Sequence, residues 1–432
     1  MAGKIEWYEE FVDFGERPAK SDLVALFYFE PAEGIARDEA LGRMASESSV
    51  GTWTTLARLP PRIKRLKGMA FEVKGSLAKL CYPLELWEKG NAPQLLSGVA
   101  GNIFGMKALA NLRLIDITLP KEYVRAFRGP QFGIAGVRRI FREPKRSITA
   151  TVPKPKVGFS AKEHAEVAYE AWAGGIDLVK DDENLTSLEF NRFEERVRLC
   201  AKMRARAERE TGERKSALLN ITAETKEMLK RAKLLYDLGW EYAMVDVVTA
   251  GFAGLQTARE ACQDYGLAIH AHRAMHAAFT RNPKHGVSML CLAKLLRLVG
   301  VDQLHIGTAV GKLVGTREEV KRIQEVITKQ KVDESLPLNL SQDWFGLKPV
   351  FPVSSGGLHP GLVPDVMSIF GSDIIIQAGG GIHGHPDGTR AGAKALRQAI
   401  EAVMEGESLE EKAKRHPELA RALAKWGRLK PR

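Results

Sequence analysis

Residues 148–180 read ITATVPKPKVGFSAKEHAEVAYEAWAGGIDLVK. Ile148–Val152 is a short β-rich run and Ile176–Lys180 is a second. Between them, Ser160-Ala-Lys-Glu163 has capping-box spacing, in which hydroxyl and carboxylate satisfy orphan N–H groups of a helix start, and an amphipathic stretch follows. Strand, helix, strand over about thirty residues is the scale of one βα unit.

Outward from this stretch the same alternation recurs. Further strands are expected at Ala217–Ile221, Tyr242–Val247, Leu267–His272, Gln303–Gly307, Val350–Ser354 and Ile374–Gln377. About eight such units predict a (β/α)8 TIM barrel. A doubly wound sheet usually has fewer strands and often a glycine-rich loop after the first, whereas strand one here runs into Lys154-Pro-Lys156. Past Glu407, Leu409, Leu419, Leu423 and Trp426 offer the buried face of a helical extension, and Ser408-Leu-Glu-Glu411 supplies another capping-box start. Ahead of the barrel, runs such as Leu23–Phe29 and Leu77–Tyr82 alternate with helical ones. Residues 1–129 therefore read as an N-terminal α+β domain ending near Gly129-Pro130, and 130–432 as the α/β barrel domain.

With 44% hydrophobic and 27% charged residues, the 432-residue chain is neither disordered nor a coiled-coil rod. It has no apolar run of membrane-spanning length, and acids occupy Met1 to Glu10 where a signal peptide is basic and then apolar, so neither export nor a membrane is expected. Cys81, Cys200, Cys262 and Cys291 form no C-x-x-C pair, which points away from a zinc site or disulfides and towards a reducing cytoplasm. The net charge of +11 favours anionic partners, either nucleic acid or phosphorylated small molecules. Clusters such as Arg58, Arg62, Lys64, Arg65 and Lys67 lack interleaved aromatic residues, so they read as solvated surface and no nucleic acid is expected.

Barrel enzymes place their chemistry at the C-terminal strand ends, and polar residues collect there. Strand one ends at Lys154 and Lys156, strand two at Lys180-Asp-Asp-Glu183, strand three at Asn220, and strand five at His272-Arg273 with His276 beyond. His305 ends strand six, Ser355-Gly356-Gly357 strand seven and Gly379-Gly380-Gly381 strand eight. Strand alternation sets Lys180 and Asp182 on one side. An isolated charge run of this kind is most often an ion-paired loop. A Mg²⁺ reading is sharper, but two carboxylates are few for it, and a lysine supplies an oxygen ligand only after reacting with CO₂ to give a carbamate. The glycine loops of strands seven and eight fit a phosphate held on backbone N–H groups, although glycines also relieve tight turns. Arg273 and His305 could bind a second phosphate. Gly307, Gly311 and Gly315 around Lys312 read as a hinged lid carrying a cation, or as a merely flexible loop. Together these point to a metal-dependent enzyme acting on a phosphorylated sugar.

Gly174-Gly-Ile-Asp-Leu-Val-Lys-Asp-Asp-Glu183, His270-Ala-His-Arg-Ala-Met-His276 and Lys154-Pro-Lys156 resemble the large subunit of ribulose-bisphosphate carboxylase (Rubisco). The resemblance extends along nearly the whole chain. Glu47-Ser-Ser-Val-Gly-Thr52-Trp53 and Gly101-Asn102-Ile-Phe-Gly105 are similar to motifs of the family's first domain, and Pro386-Asp-Gly388 has the archaeal, form III character.

The resemblance implies carbon dioxide fixation: CO₂ and water add to ribulose 1,5-bisphosphate to give two 3-phosphoglycerates, with O₂ competing as in an oxygenase. It implies Lys180 as the CO₂-derived carbamate that holds Mg²⁺ with Asp182 and Glu183. Lys154 would handle protons on the reacting carbons, Lys156 would lower its pKa, and Lys312 would stabilise the new carboxylate. One phosphate would be held by Thr52, Trp53, Gly357, Gly379 and Gly380, with Gly356 in the same strand-seven loop, and the other by Arg273, His305 and Ser355. His272 would contact sugar hydroxyls, and Asn102 would sit near the metal.

In the family Glu47, Thr52, Trp53 and Asn102 reach a partner's barrel, which implies a homodimer as the minimal active unit. A higher oligomer such as a decamer is compatible, no small subunit is expected, and the form III character points to nucleotide (AMP) salvage. Val314, where many members carry an acid, and Ile306, where plant-type enzymes carry serine, bear on lid closure and CO₂/O₂ selectivity. The alternative is a Rubisco-like protein enolising or isomerising another phosphorylated sugar. Retention of Lys154, Lys180, Lys312, His272, His305, Arg273 and Asn102 together argues against it, and a non-enzymatic RNA-binding reading leaves these residues unexplained.

Overall fold

The structure, a computed structural model, describes residues 6–310 except 53, 55 and 57, and residues 316–429. The chain forms two compact units. One holds the residues up to Gly129 together with Met275–Val299 and Lys329–Leu347. The other holds Pro130–Ala274, Gly300–Thr328 and the chain from Lys348 onward.

The second unit is a parallel eight-stranded barrel of Ile148–Thr151, Leu178–Lys180, Ser216–Leu218, Tyr242–Asp246, Ala268–His272, Gln303–His305, Phe351–Ser355 and Ile375–Gln377. These are barrel strands one to eight in chain order. Each pairs with its sequence neighbour, and strand eight pairs with strand one through Ile375↔Ile148. Strands three and four complete the circle through the Asn220↔Met244 bridge, Met244 N donating to Leu219 O at 2.9 Å and Ile221 N to Met244 O at 3.0 Å. All eight expected strands are present, with ends shifted by at most three residues.

The capping box forms: Ser160 Oγ accepts from Glu163 N, and Glu163 Oε2 accepts from Ser160 N at 2.8 Å. It starts helix Ala161–Ala173, which buries Ala165, Ala168, Tyr169 and Trp172. Ser408 likewise caps Leu409–Ala413, accepting from Glu411 N at 3.1 Å. Inside the barrel Ile148, Ala150, Leu178, Leu218, Tyr242, Met244, Ala268, Phe351, Val353 and Ile375 form a dry core with Val137 and Phe141 of helix Gly133–Phe141. Burying each large apolar side chain there stabilises the fold by about 1.5–3 kcal/mol. Asp302, just before strand six, accepts from Phe132 N and Gly133 N at 2.6 and 3.0 Å, so that helix seals the N-terminal ends of the strands. The C-terminal ends are left for chemistry.

The first unit is built on a five-stranded sheet in the order Gly286–Val287, Leu109–Thr118, Leu23–Pro31, Leu77–Tyr82 and Met69–Lys74. Met275–Val299 and Lys329–Leu347 pack with this compact unit. Gly286–Val287 adds a parallel edge to Leu109–Thr118. Helix Met289–Val299 follows with every residue buried, and its Lys294 Nζ lies 2.6 Å from Asp116 Oδ2 and 2.9 Å from Ile117 O. Leu340 N donates to the same carboxylate at 2.8 Å. Arg297 donates to Lys329 O and Leu347 O and lies over the Trp344 ring. Buried polar groups with no water to bond must find partners inside the protein, and here those partners lie on segments far apart in sequence. Among the described residues no helix is long and apolar enough to cross a membrane, and the four cysteines are free and buried.

Candidate active site

Lys180 closes strand two and is fully buried. Its Nζ donates to the Asp181 carbonyl at 2.7 Å, and the nearest carboxylate oxygen among the described residues is Glu183 Oε2 at 3.7 Å. Burial pushes the pKa of this amine down; the neighbouring carboxylates Glu183, Asp246, Asp182 and Asp181 pull the other way without prevailing. Chain alternation sends Asp181 to the far side, where Arg196 NH2 meets it at 3.0 Å and Asn220 N donates to it at 2.9 Å. Burial alone would raise the Asp181 pKa, but Arg196 and His164 hold it at about 2. Asp182 returns to the Lys180 side, and Lys154 Nζ reaches its Oδ2 at 3.3 Å.

Strand four contributes a residue the sequence reading passed over. Asp246 ends that strand, accepts from Asn220 Nδ2 at 3.0 Å and meets His272 Nδ1 at 3.1 Å. The other face of that imidazole, Nε2, lies 3.6 Å from Glu183 Oε2. Burial pushes the Asp246 carboxyl up to about 6 against the pull of Asn220 and Lys180. An acid at the C-terminal end of an otherwise apolar strand was the available signal. Amine, carboxylates and imidazole thus form one cluster of groups that can exchange protons.

Strands five to seven build a second cluster. His305 Nδ1 bonds Ser355 Oγ at 2.7 Å, His305 Nε2 bonds His270 Nε2 at 2.9 Å, and His270 Nδ1 bonds Gln303 Oε1 at 2.8 Å. The His272 and His305 rings meet edge to face with centroids 4.9 Å apart. Arg273 is buried, and burial lowers its guanidinium pKa to about 10, still charged at neutral pH. Gly307, at φ +100°, leaves room for that guanidinium: a Cβ there would lie 3.3 Å from Arg273 NH2. His276 bonds Thr280 Oγ1 at 2.9 Å. Ile306 is fully buried, and its backbone N donates to Val353 O at 3.0 Å.

Gly356 and Gly357 follow strand seven with φ of +114° and +75°. After strand eight, a Cβ on Gly379 would come within 3.0 Å of Lys154 Cε, so glycine there permits the lysine's path, while Gly380 faces open space. Gly381 is required by packing, since a Cβ would strike Leu358 O at 2.1 Å. Lys156 lies exposed on the loop after strand one. In the first unit, Glu47 is exposed at the end of helix Arg37–Glu47, Thr52 is partly exposed in the loop beyond, and Asn102 is exposed at the start of the turn Asn102–Gly105, which packs against that helix. Trp53, Gly311, Lys312, Val314 and Gly315 lie outside the described residues.

Comparison with known proteins gives a consistent picture. Residues 133–426 match the model of the ribulose bisphosphate carboxylase large chain catalytic domain, and residues 10–123 match that of its N-terminal domain. The chain is 55% identical to a ribulose bisphosphate carboxylase of Pyrococcus abyssi over 99% of both chains, and 49% identical to that of Archaeoglobus fulgidus over 99% of both. Among solved structures, a dimeric archaeal Rubisco from Hyperthermus butylicus is similar with a TM-score of 0.93 and 52% identity, covering 98% of this chain and 100% of that one. An octameric ribulose-1,5-bisphosphate carboxylase/oxygenase from Pyrococcus horikoshii OT3, solved with sulfate ion, is similar with a TM-score of 0.91 and 55% identity over 98% of both chains.

Proposed function

The chain belongs to the ribulose bisphosphate carboxylase large-chain family, and from that premise we propose that it adds CO₂ and water to ribulose 1,5-bisphosphate to give two 3-phosphoglycerates, with O₂ competing. The observation that carries this reading is the fully buried Lys180 amine, which stands among carboxylates with none closer than 3.7 Å among the described residues.

The donor set fits a hard divalent cation. Asp182 and Glu183 offer oxygens, and among the described residues no three His, Cys, Asp or Glu side chains gather to hold a metal by themselves. A third anionic oxygen is therefore wanted, and Lys180 carrying CO₂ as a carbamate supplies it. Magnesium held by Lys180, Asp182 and Glu183 would polarise the ketone of the sugar. Lys154, whose amine lies 3.3 Å from Asp182 Oδ2, would move protons at the reacting carbons, and Lys312 would neutralise the new carboxylate. His272, oriented by Asp246, would bond the sugar hydroxyls. Arg273 with His305 and Ser355 would hold one phosphate end, and the Gly356–Gly357 and Gly379–Gly380 backbones the other.

Glu47, Thr52, Trp53 and Asn102 would complete the site of a second copy, making a homodimer the minimal active unit, in keeping with the dimeric and octameric neighbours. Four buried free cysteines support a reducing cytoplasm. The archaeal relatives and Pro386-Asp-Gly388 support a role in nucleotide salvage.

Purified protein incubated with Mg²⁺, ribulose 1,5-bisphosphate and labelled bicarbonate should yield acid-stable label in 3-phosphoglycerate. Folded, CO₂-preincubated protein that fixes no label overturns the reading. Subunit exchange between inactive Glu47→Gln and Lys180→Ala chains should restore about a quarter of the wild-type sites, through mixed dimers with one intact site. No recovery would exclude sites shared between copies.

A further inference from the structure

Asn191 and Arg196 are buried polar side chains to which the function proposed above gives no role. The Arg196 guanidinium is committed on every side. Its Nε and NH2 donate to Asp181 Oδ2 at 3.2 and 3.0 Å, NH2 also donates to Thr186 O at 2.7 Å, and NH1 donates to Asn191 O and Oδ1 at 3.1 and 2.9 Å. One cation thereby holds the loop 181–191 closed on itself and on the residue that stands between Lys180 and Asp182.

The Asn191 amide then has a single orientation open to it. Its oxygen must face Arg196, which only donates, and its Nδ2 donates at 2.9 Å to Phe159 O, which only accepts. Phe159 closes the loop 153–159, which leaves strand one and carries Lys154 and Lys156. Among the described residues, the bond from Asn191 and that of the Lys154 amine to Asp182 Oδ2 at 3.3 Å are the hydrogen bonds that join this loop to other elements. A segment with so few bonds takes its placement from its anchors. The anchor at Phe159 leads, through Asn191 and Arg196, back to Asp181 on strand two's own loop.

We propose that Asn191 is a positioning residue that ties the loop carrying Lys154 to the loop carrying Asp182 and Glu183, by way of Arg196 and Asp181, and so keeps the Lys154 amine in register with the reacting carbons. This deepens the bisphosphate reading and rests on it.

Kinetics and calorimetry on Mg²⁺- and bicarbonate-treated protein test it. Asn191→Leu removes both side-chain bonds. Asn191→Asp keeps an acceptor for Arg196 but cannot donate to Phe159 O, so it isolates the link between the loops and stays paired in the core if the leucine variant folds poorly. In both, kcat per folded molecule should fall by about tenfold to a hundredfold, the cost of a misplaced reacting group, while the KM for ribulose 1,5-bisphosphate and the Mg²⁺ dissociation constant move by less than about twofold. In Asn191→Asp, amide hydrogen exchange should quicken over 156–160 and stay unchanged over 181–190. Wild-type kcat in Asn191→Asp overturns the inference. So does a KM or Mg²⁺ affinity that worsens in step with kcat, or loss of folding in both variants, because a residue of the scaffold alone loosens the whole site or the whole fold. Wild-type protein that fixes no label strikes the functional reading itself, whereas a wild type that fixes label beside an Asn191→Asp variant of equal kcat strikes only this one.

Discussion

Lys180 and Lys294 are both fully buried, one at a strand end of the barrel unit and one in a helix of the first unit, and their surroundings differ in kind. Lys294 lies 2.6 Å from Asp116 Oδ2 and donates to Ile117 O at 2.9 Å, while Leu340 N supports the same carboxylate. Burial raises the Asp116 pKa and Lys294 pulls it back. Lys180 donates to the Asp181 carbonyl, its nearest carboxylate oxygen among the described residues is 3.7 Å away, and burial depresses its pKa. A buried lysine whose charge is answered at contact distance is part of the scaffold. One whose charge is answered only loosely, beside carboxylates shared with Lys154 and His272, is the one that the proposed function draws on.

The two lysines should respond in opposite ways to substitution. Lys180→Ala should cut label fixation by more than about a thousandfold, with a melting temperature within a few degrees of wild type. Lys294→Met should do the reverse, lowering stability by about 3–5 kcal/mol in denaturant titrations because Asp116 is left as an unpaired buried charge. The double variant Asp116→Leu with Lys294→Met should recover most of that loss, and failure to recover would place the destabilisation elsewhere.

Asp246→Asn sharpens the active-site half. It disturbs the contacts to both Asn220 and His272, and kcat/KM should fall by about tenfold to a hundredfold. Unchanged kinetics would remove Asp246 from the site.

The smallest expected effect concerns a third buried pair, Asp177, which Arg146 grips at 2.7 and 2.8 Å. Burial alone would raise the Asp177 pKa, but Arg146, Arg397 and Lys215 hold it at about 2, below the unfolded value of 3.8. A depressed folded pKa favours the folded state above pH 3.8, and that contribution, about 2 kcal/mol, is lost as pH falls through 2. Acid unfolding followed by circular dichroism should therefore shift to higher pH in Arg146→Met; an unmoved midpoint would deny the pair its role.

The barrel was legible because the period of apolar residues switches between two and 3.6 in turn, and Ser160 with Glu163 marks a helix start without reference to anything distant. Lys180, Asp182 and Glu183 were legible as a candidate site because they are contiguous at a strand end. Asp246 was not, since nothing local says which strand-end acid will meet which histidine. The packing of 275–299 with the first unit leaves one local trace: Met289–Val299 is apolar around most of its circumference, where a helix on a barrel surface shows one wet face.

The order of strands and helices, the closed barrel they imply and the family motifs follow from the sequence alone, because each depends on near neighbours and on a period. Which of two buried lysines is matched, which way Asp181 turns, which side chains meet His305 and with which unit residues 275–299 pack were decided only by the tertiary structure. Those outcomes depend on distances between groups far apart in the chain, and on burial, which sets how strongly charge is felt and which no residue carries by itself.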